Sequence, residues 1–245
     1  IANGKNVTIQ NCKVTDCGYG GITTGYARCV STHKYSEYIT IDNCIVTDHP
    51  SAGISIGSNA GPFTLTNNIC ERIKTPHYAD STREYAGFGI QVSGKSSSLM
   101  ASGTISGNTC SDNGFEGIIL KKYVDGITIE NNTITGHNFD QDGAGIFFYH
   151  WGHPEYNQNH IIRNNTLTGN IRGIVGYYAS NSTIEGNTIS TDAGVFHPEQ
   201  GAIKLDGCNN MEVKDNTIGC DGIGISVVYC CLLYTSDAAD ELDGV

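Results

Sequence analysis

Gly126-Ile127-Thr128-Ile129-Glu130-Asn131-Asn132-Thr133-Ile134-Thr135-Gly136 is the stretch on which the reading of this chain turns. As an extended segment it sends Ile127 and Ile129 to one face and Thr128 and Glu130 to the other. Two asparagines break the alternation, and Ile134 returns to the apolar side. Asparagine is a poor strand residue but a good corner residue, because its amide bonds to nearby backbone and it tolerates left-handed angles. A short strand, an Asn corner and a second short strand make part of one coil of a solenoid.

The same unit recurs eight times, anchored on Ile9, Ile41, Leu65, Ile105, Ile129, Ile162, Ile184 and Val213. Three residues after each anchor stand Cys12, Cys44, Asn68, Asn108, Asn132, Asn165, Asn187 and Asn216. Anchors follow one another at steps of 32, 24, 40, 24, 33, 22 and 29 residues. A period in this range is the mark of a solenoid, and its irregularity implies a small coil carrying loops of variable length. The period-two alternation and the Thr and Gly content exclude a helical repeat.

A second strand signal follows most anchors, a Gly-Ile pair at Gly21-Ile22, Gly53-Ile54, Gly89-Ile90, Gly117-Ile118, Gly145-Ile146, Gly173-Ile174 and Gly222-Ile223, with Gly201-Ala202-Ile203 as a variant. Glycine at a strand entrance permits a sharp bend between sheets. The expected fold is all-β: about three short strands per coil, three parallel sheets, like residues about 4.8 Å above like. The stacked asparagines are expected to bond to one another along the solenoid, since buried amides must find partners. Cys12 and Cys44 begin that column and Cys70 stacks on Cys110; each reads as a small core residue.

The pattern I-x-N-N-x-I followed by G-I-x-hydrophobic resembles the single-stranded right-handed parallel β-helix repeat of the pectin-lyase-like superfamily, over about residues 5–229. That resemblance implies about eight coils with an Asn ladder. It also implies an extracellular or cell-surface protein acting on a polysaccharide, since the superfamily includes pectate lyases, polygalacturonases, mannuronan epimerases, alginate lyases, phage tailspikes and adhesins. The polygalacturonase motifs are not matched: Arg72-Ile73-Lys74 stands alone and reads as coincidence, and Phe196-His197-Pro198-Glu199 only faintly follows the epimerase D-P-H motif.

Composition narrows the function further. The formal net charge is −11 and no Lys/Arg cluster occurs, which argues against a nucleic-acid partner. No apolar run is long enough to span a membrane. One solenoid at residues 1–229, truncated at both ends, is the expected domain organisation. The run Cys231 to Asp240 breaks the pattern and resembles a translated sequencing-library adapter, so residues 230–245 are expected to lie outside the fold.

A filled tube must carry function on its outside, on one sheet and its bordering loops. The Gly-Ile sheet is the candidate, because the longest insertions flank it. Counting one and three residues past each Ile gives outward positions that include Gln91, Ile119, Lys121, Phe147, Tyr149, Val175, Tyr177, Lys204 and Asp206. Lys121, Tyr149, Tyr177 and Asp206 form one column of a cation, two phenols and a carboxylate, with Lys204 beside it. These five are the candidate catalytic residues, and Gln91, His150, Trp151, His153, Tyr178, His197 and Glu199 the candidate substrate contacts. Aromatic rings stack on sugar faces, while Lys and Asp reach hydroxyls or carboxylates.

Eliminative cleavage of a uronate polymer needs a base, a cation to neutralise the growing charge, and an acid for the leaving oxygen. Hydrolysis needs two flanking carboxylates instead, which Asp140, Asp142, Glu199 and Asp206 can supply. Lyase, hydrolase and epimerase chemistry therefore stay open, as does a non-catalytic glycan-binding adhesin or tail module. No cofactor is certain; the one ion candidate is Ca2+ at Asp140 and Asp142, in an oxygen-rich run without the EF-hand pattern.

Overall fold

The computed structural model describes residues 5–18, 20–24, 35–59, 61–74, 87–137, 143–150, 152–191 and 201–236. Among them the strands form three parallel sheets that the chain visits in turn, coil after coil. The first sheet holds the anchor strands, among them Lys5–Gln10, Glu37–Asp42, Pro62–Thr66, Ala101–Ser106, Val124–Glu130 and Ser180–Glu185. Short strands such as Thr109–Ser111 and Thr133–Thr135 make the second. The Gly-Ile strands, including Phe88–Gly94, Ile118–Leu120, Ala144–Tyr149, Arg172–Tyr177 and Ile203–Asp206, make the third.

The anchors stack in register: Ile9 on Ile41, Ile41 on Leu65, Leu65 on Ile105, Ile105 on Ile129, Ile129 on Ile162, Ile162 on Ile184 and Ile184 on Val213. Most are fully buried, so the aliphatics fill the tube as the repeat requires. One departure concerns the last coil, where Ile203 pairs with Ile225 and not with Ile223. The equivalent pair there is Gly224-Ile225; a two-residue shift preserves strand parity, which is why alternation alone could not distinguish them.

Each corner after the first sheet uses two residues for two tasks. The first takes a left-handed backbone: Asn11, Asn43, Asn67, Gly107, Asn131, Asn164, Gly186 and Asp215 all have φ between 49° and 66°. The second is Cys12 or Cys44 at the first two corners and from Asn68 onward an asparagine that turns its amide inward. Asn108 Nδ2 donates to Asn132 Oδ1 at 3.0 Å, Asn132 Nδ2 to Asn165 Oδ1 at 2.9 Å, and Asn165 Nδ2 to Asn187 Oδ1 at 2.9 Å. Each amide also donates to a carbonyl of the preceding coil, so every hydrogen-bonding position is used.

A second polar ladder stands at the corner between the second and third sheets. Asn113 Nδ2 meets His137 Nε2 at 3.1 Å, and His137 Nδ1 meets Asn170 Oδ1 at 2.8 Å. An Asn amide can only donate to Nε2, and an Asn carbonyl can only accept from Nδ1, so the ring is held neutral with its proton on Nδ1. Burial pushes its pKa down to about 4.

The glycine of the Gly-Ile pair faces inward at this same corner. A β carbon on Gly117 would lie 2.4 Å from Ile134 Cγ2, and one on Gly145 would lie 2.5 Å from Leu167 Cδ2. Side chains of the second sheet already fill that space. Beyond the last full coil, Cys231–Ser236 pairs with Asn209–Lys214, so no break in strand pairing marks residue 230.

Candidate functional site

The inward glycine decides which residues of the third sheet face outward. Past it, Ile118, Ile146 and Ile174 point in, and Ile119, Phe147, Val175 and Lys204 form an outward row in register. Two residues on, Tyr149, Tyr177 and Asp206 form the next row, and Lys121 follows Leu120, the partner of Phe148, in step with Tyr149. Before the glycine lies a third outward row that includes Ala52, Phe88, Glu116, Ala144 and Arg172. The sequence reading counted only forward from the isoleucine and missed this row. Its signal was present in the dipeptides Glu116-Gly117 and Arg172-Gly173.

These rows build a second, small apolar cluster outside the tube. Ala52, Phe88 and Ile119 are buried in it, with Phe115, Phe147 and Tyr149 packed against them. Phe147 and Tyr149 lie nearly parallel with ring centroids 5.0 Å apart, and Tyr177 meets Phe147 edge-on at 5.4 Å. The Lys204 ammonium lies 5.6 Å from the centre of the Tyr177 ring.

Lys121 is half-buried, its Nζ 4.5 Å from the centre of the Phe88 ring. Desolvation lowers its pKa, and the nearby Glu116 carboxylate partly opposes that shift. Desolvation also raises the Tyr149 pKa, with Glu116 adding to the effect. Glu116 is only 6% exposed and Arg172 only 4%, so two charges of opposite sign sit deep on this sheet face beside its rings and aliphatics. The arrangement offers a partly desolvated amine and a phenol that keeps its proton, both within the influence of one carboxylate.

The other expected contacts divide into three groups. Gln91 lies on the outward row and reaches Ser55 Oγ at 3.5 Å. His150, His153 and Tyr178 lie beside the column, where the chain turns from the third sheet towards the first. His150 and His153 pack edge-on at 5.4 Å, in a ring cluster with Tyr123 and Tyr156. Tyr178 has φ 50°, and its ring covers Gly207 of the next coil. Trp151, His197, Glu199, Asp140 and Asp142 fall outside the described residues. Among the described residues no group of three or more His, Cys, Asp or Glu gathers to hold a metal ion.

Arg72-Ile73-Lys74 has a structural account. Arg72 grips Asp48 with two hydrogen bonds of 2.8 and 3.0 Å, and Ile73 is buried with its N–H on Asn113 Oδ1.

Three family patterns match parts of the chain: "right handed beta helix region" over residues 1–103, a protein of unknown function (DUF1565) over residues 60–181, and "periplasmic copper-binding protein (NosD)" over residues 139–231. No curated protein matches. Among solved structures the chain is similar to the A-module of mannuronan C-5 epimerase AlgE4 from Azotobacter vinelandii, with TM-score 0.56 and 17% identity over 95% of this chain and 58% of that one. It is also similar to tailspike protein 2 of the Escherichia coli O157:H7 bacteriophage CAB120, with TM-score 0.63 and 12% identity over 95% of this chain and 33% of that one. The chain thus spans about three fifths of the first and one third of the second. At such identities the likeness is one of fold.

Proposed function

We propose that this right-handed parallel β-helix repeat protein acts on a polysaccharide, a uronate-containing glycan, along the outer face of its third sheet. One observation carries the reading: Lys121, beside Phe88 and under the field of Glu116, stands in step with Tyr149, Tyr177 and Asp206 on successive coils. The two neighbours of known structure lend support at the level of architecture, one being named an epimerase of mannuronan, a uronate polymer.

The chemistry follows from the two shifts. A lysine whose pKa is lowered has more neutral amine near neutral pH, so Lys121 is the base for a proton α to the sugar carboxylate. A tyrosine whose pKa is raised keeps its O–H, so Tyr149 is the acid that protonates the leaving oxygen or returns a proton to the opposite face. The first outcome is elimination and the second epimerisation. Lys204 and Arg172 supply positive charge for the substrate carboxylates, and Phe147 and Tyr177 supply rings for sugar faces. A polymer of this kind is met outside the cytoplasm, and the protein is placed there on this reading.

The experiment is a panel of uronate polymers assayed for unsaturated products, reducing ends and changed epimer content. Product from one polymer, lost in Lys121→Ala, supports the enzyme. Binding without product supports a non-catalytic glycan-binding module of the tailspike or adhesin kind. Neither binding nor product on any polymer removes the proposal.

A further inference from the structure

Lys121 and Tyr149 are tied to each other through a single buried amide. The pairing of their two strands ends at Leu120 and Phe148. One residue further on, the carbonyls of Lys121 and Tyr149 both accept from Asn157 Nδ2, at 2.8 and 3.0 Å. An Asn amide carries two N–H bonds on one nitrogen, so each carbonyl takes its own. Neighbouring coils stand about 4.8 Å apart, and one nitrogen between two acceptors at these distances spans that step. Lys121 is already held to the preceding coil, its N–H on Val92 O at 2.8 Å. Asn157 supplies its tie to the coil that carries Tyr149.

The direction in which that amide points is set by His160, which is buried, as Asn157 is. His160 Nδ1 accepts the Ile127 N–H at 3.2 Å, so the proton of the neutral ring sits on Nε2. Nε2 then donates to Asn157 Oδ1 at 2.9 Å, which leaves Nδ2 for the two carbonyls. The backbone of His160 is fixed as well: its N–H donates to Ser182 Oγ at 3.0 Å, and that hydroxyl donates to Ser180 O at 2.8 Å. Ser180 Oγ donates in turn to Pro154 O at 3.0 Å, holding the turn Pro154–Tyr156 to the next coil. A run of hydrogen bonds thus leads from Ile127 in the first sheet to the ends of the two strands in the third.

We propose that Asn157 and His160 are positioning residues for the outer face of the third sheet: by joining the Lys121 and Tyr149 carbonyls they fix the separation of the two side chains that serve as base and acid. Their place in a reaction rests on the glycan reading of that face; the tie itself rests on the geometry alone. Both residues are buried, so neither touches substrate, and each acts through the backbone of Lys121 and Tyr149. Without the tie, Lys121 can draw away from Phe88 and Tyr149 from Phe147, the rings that now lie against them. A displacement of about 1 Å in a reacting pair can cost about 100-fold in rate, so the tie serves the chemistry as well as the fold.

The test compares Asn157→Ala, His160→Asn and Asn165→Ala in the full chain. His160→Asn keeps an acceptor at the place of Nδ1 for the Ile127 N–H and leaves nothing at the place of Nε2. Asn165→Ala removes another buried amide, at the corner between the first and second sheets, and is the control for lost stability. The readout that needs no substrate is carbon-13 NMR titration of Lys121 and Tyr149. In Asn157→Ala and His160→Asn the Lys121 pKa is expected to rise and the Tyr149 pKa to fall, because desolvation displaces both from their ordinary values. Asn165→Ala is expected to move neither. On a uronate polymer that the parent turns over, the first two variants are expected to lose kcat by about 10- to 100-fold at nearly constant KM, while Asn165→Ala keeps it. If Asn157→Ala does not fold, His160→Asn carries the same comparison. Unmoved titrations in a folded Asn157 or His160 variant, or equal movement in Asn165→Ala, overturn the proposal and leave the pair a part of the fold only. Shifted titrations in a protein that acts on no polymer uphold the tie and remove the glycan reading alone.

Discussion

Asn132 stands directly beneath Asn165: its backbone N–H and its Nδ2 both donate to the same Asn165 Oδ1, at 3.0 and 2.9 Å. Asn165 in turn donates to Ile129 O at 2.9 Å and to Asn187 Oδ1 at 2.9 Å. One side chain therefore closes backbone and amide groups of two neighbouring coils in a site that is 1% exposed.

Asn165→Ala strips the acceptor from two buried donors and leaves the Ile129 carbonyl without its amide. A buried group left unsatisfied costs about 1–3 kcal/mol, so the variant is expected to lose roughly 3 kcal/mol or more. Equilibrium unfolding in urea checks this. A loss below about 0.5 kcal/mol, typical of neutral surface changes, would show that the ladder does not hold the coils.

Gly117→Ala and Gly219→Ala separate the two uses of glycine. A β carbon on Gly117 meets Ile134 Cγ2 at 2.4 Å and Gly145 O at 2.8 Å, whereas one on Gly219 meets nothing within 4 Å. The first substitution is expected to cost about 1–3 kcal/mol, as overpacking does. The second is expected to be neutral or mildly stabilising, since alanine narrows the unfolded ensemble. Thermal melts of the two variants measure the contrast, and equal midpoints would refute the inward-facing corner.

Acid is expected to weaken the fold through two buried imidazoles. His137 has its pKa lowered to about 4 and His160 to about 3, both from desolvation, and His160 accepts the Ile127 N–H on Nδ1 at 3.2 Å while Nε2 meets Asn157 Oδ1 at 2.9 Å. Above the unfolded value of about 6.5 neither state binds a proton and stability is complete. As pH falls below it, the unfolded chain takes up protons that the fold refuses, so stability declines until the folded values are reached. Urea midpoints measured from pH 7 to pH 4 should fall, and His137→Asn should flatten the slope. A flat profile in the unmodified protein would contradict the assignment.

Glu116→Gln tests the electrostatics of the outer face without requiring a substrate. Glu116 supports the charged form of Lys121 against desolvation. Its neutralisation is expected to lower the Lys121 pKa further and to lower that of Tyr149 as well, since the carboxylate raises both. Carbon-13 NMR titration of the lysine and tyrosine side chains reads both shifts. Movement of neither would place Glu116 outside the site.

The tube was legible from sequence because it is built from local repetition. The aliphatic anchors, the Asn column and the Cys70–Cys110 stack each recur at fixed offsets, and stacking makes an offset in sequence a contact in space. The second ladder of Asn113, His137 and Asn170 was not legible, because its members change residue type from coil to coil and follow the second strand rather than the anchor. Glu116 and Arg172 were missed for a geometric reason. The bend at glycine reverses which side faces out, so strict alternation assigns the preceding residue to the core. The ring cluster of Tyr123, His150, His153 and Tyr156 depends on a loop packing back on its corner, which no periodicity records.

The most direct test of the account is product formation from uronate polymers by the unmodified protein, compared with Lys121→Ala and Tyr149→Phe. The account predicts unsaturated or epimerised product from at least one polymer, with both variants losing it by a factor of about 100 or more, as the loss of an acid or base does, while their melting temperatures stay near that of the parent. Turnover that survives both substitutions, or no binding and no product from any polymer by a folded parent protein, would contradict it.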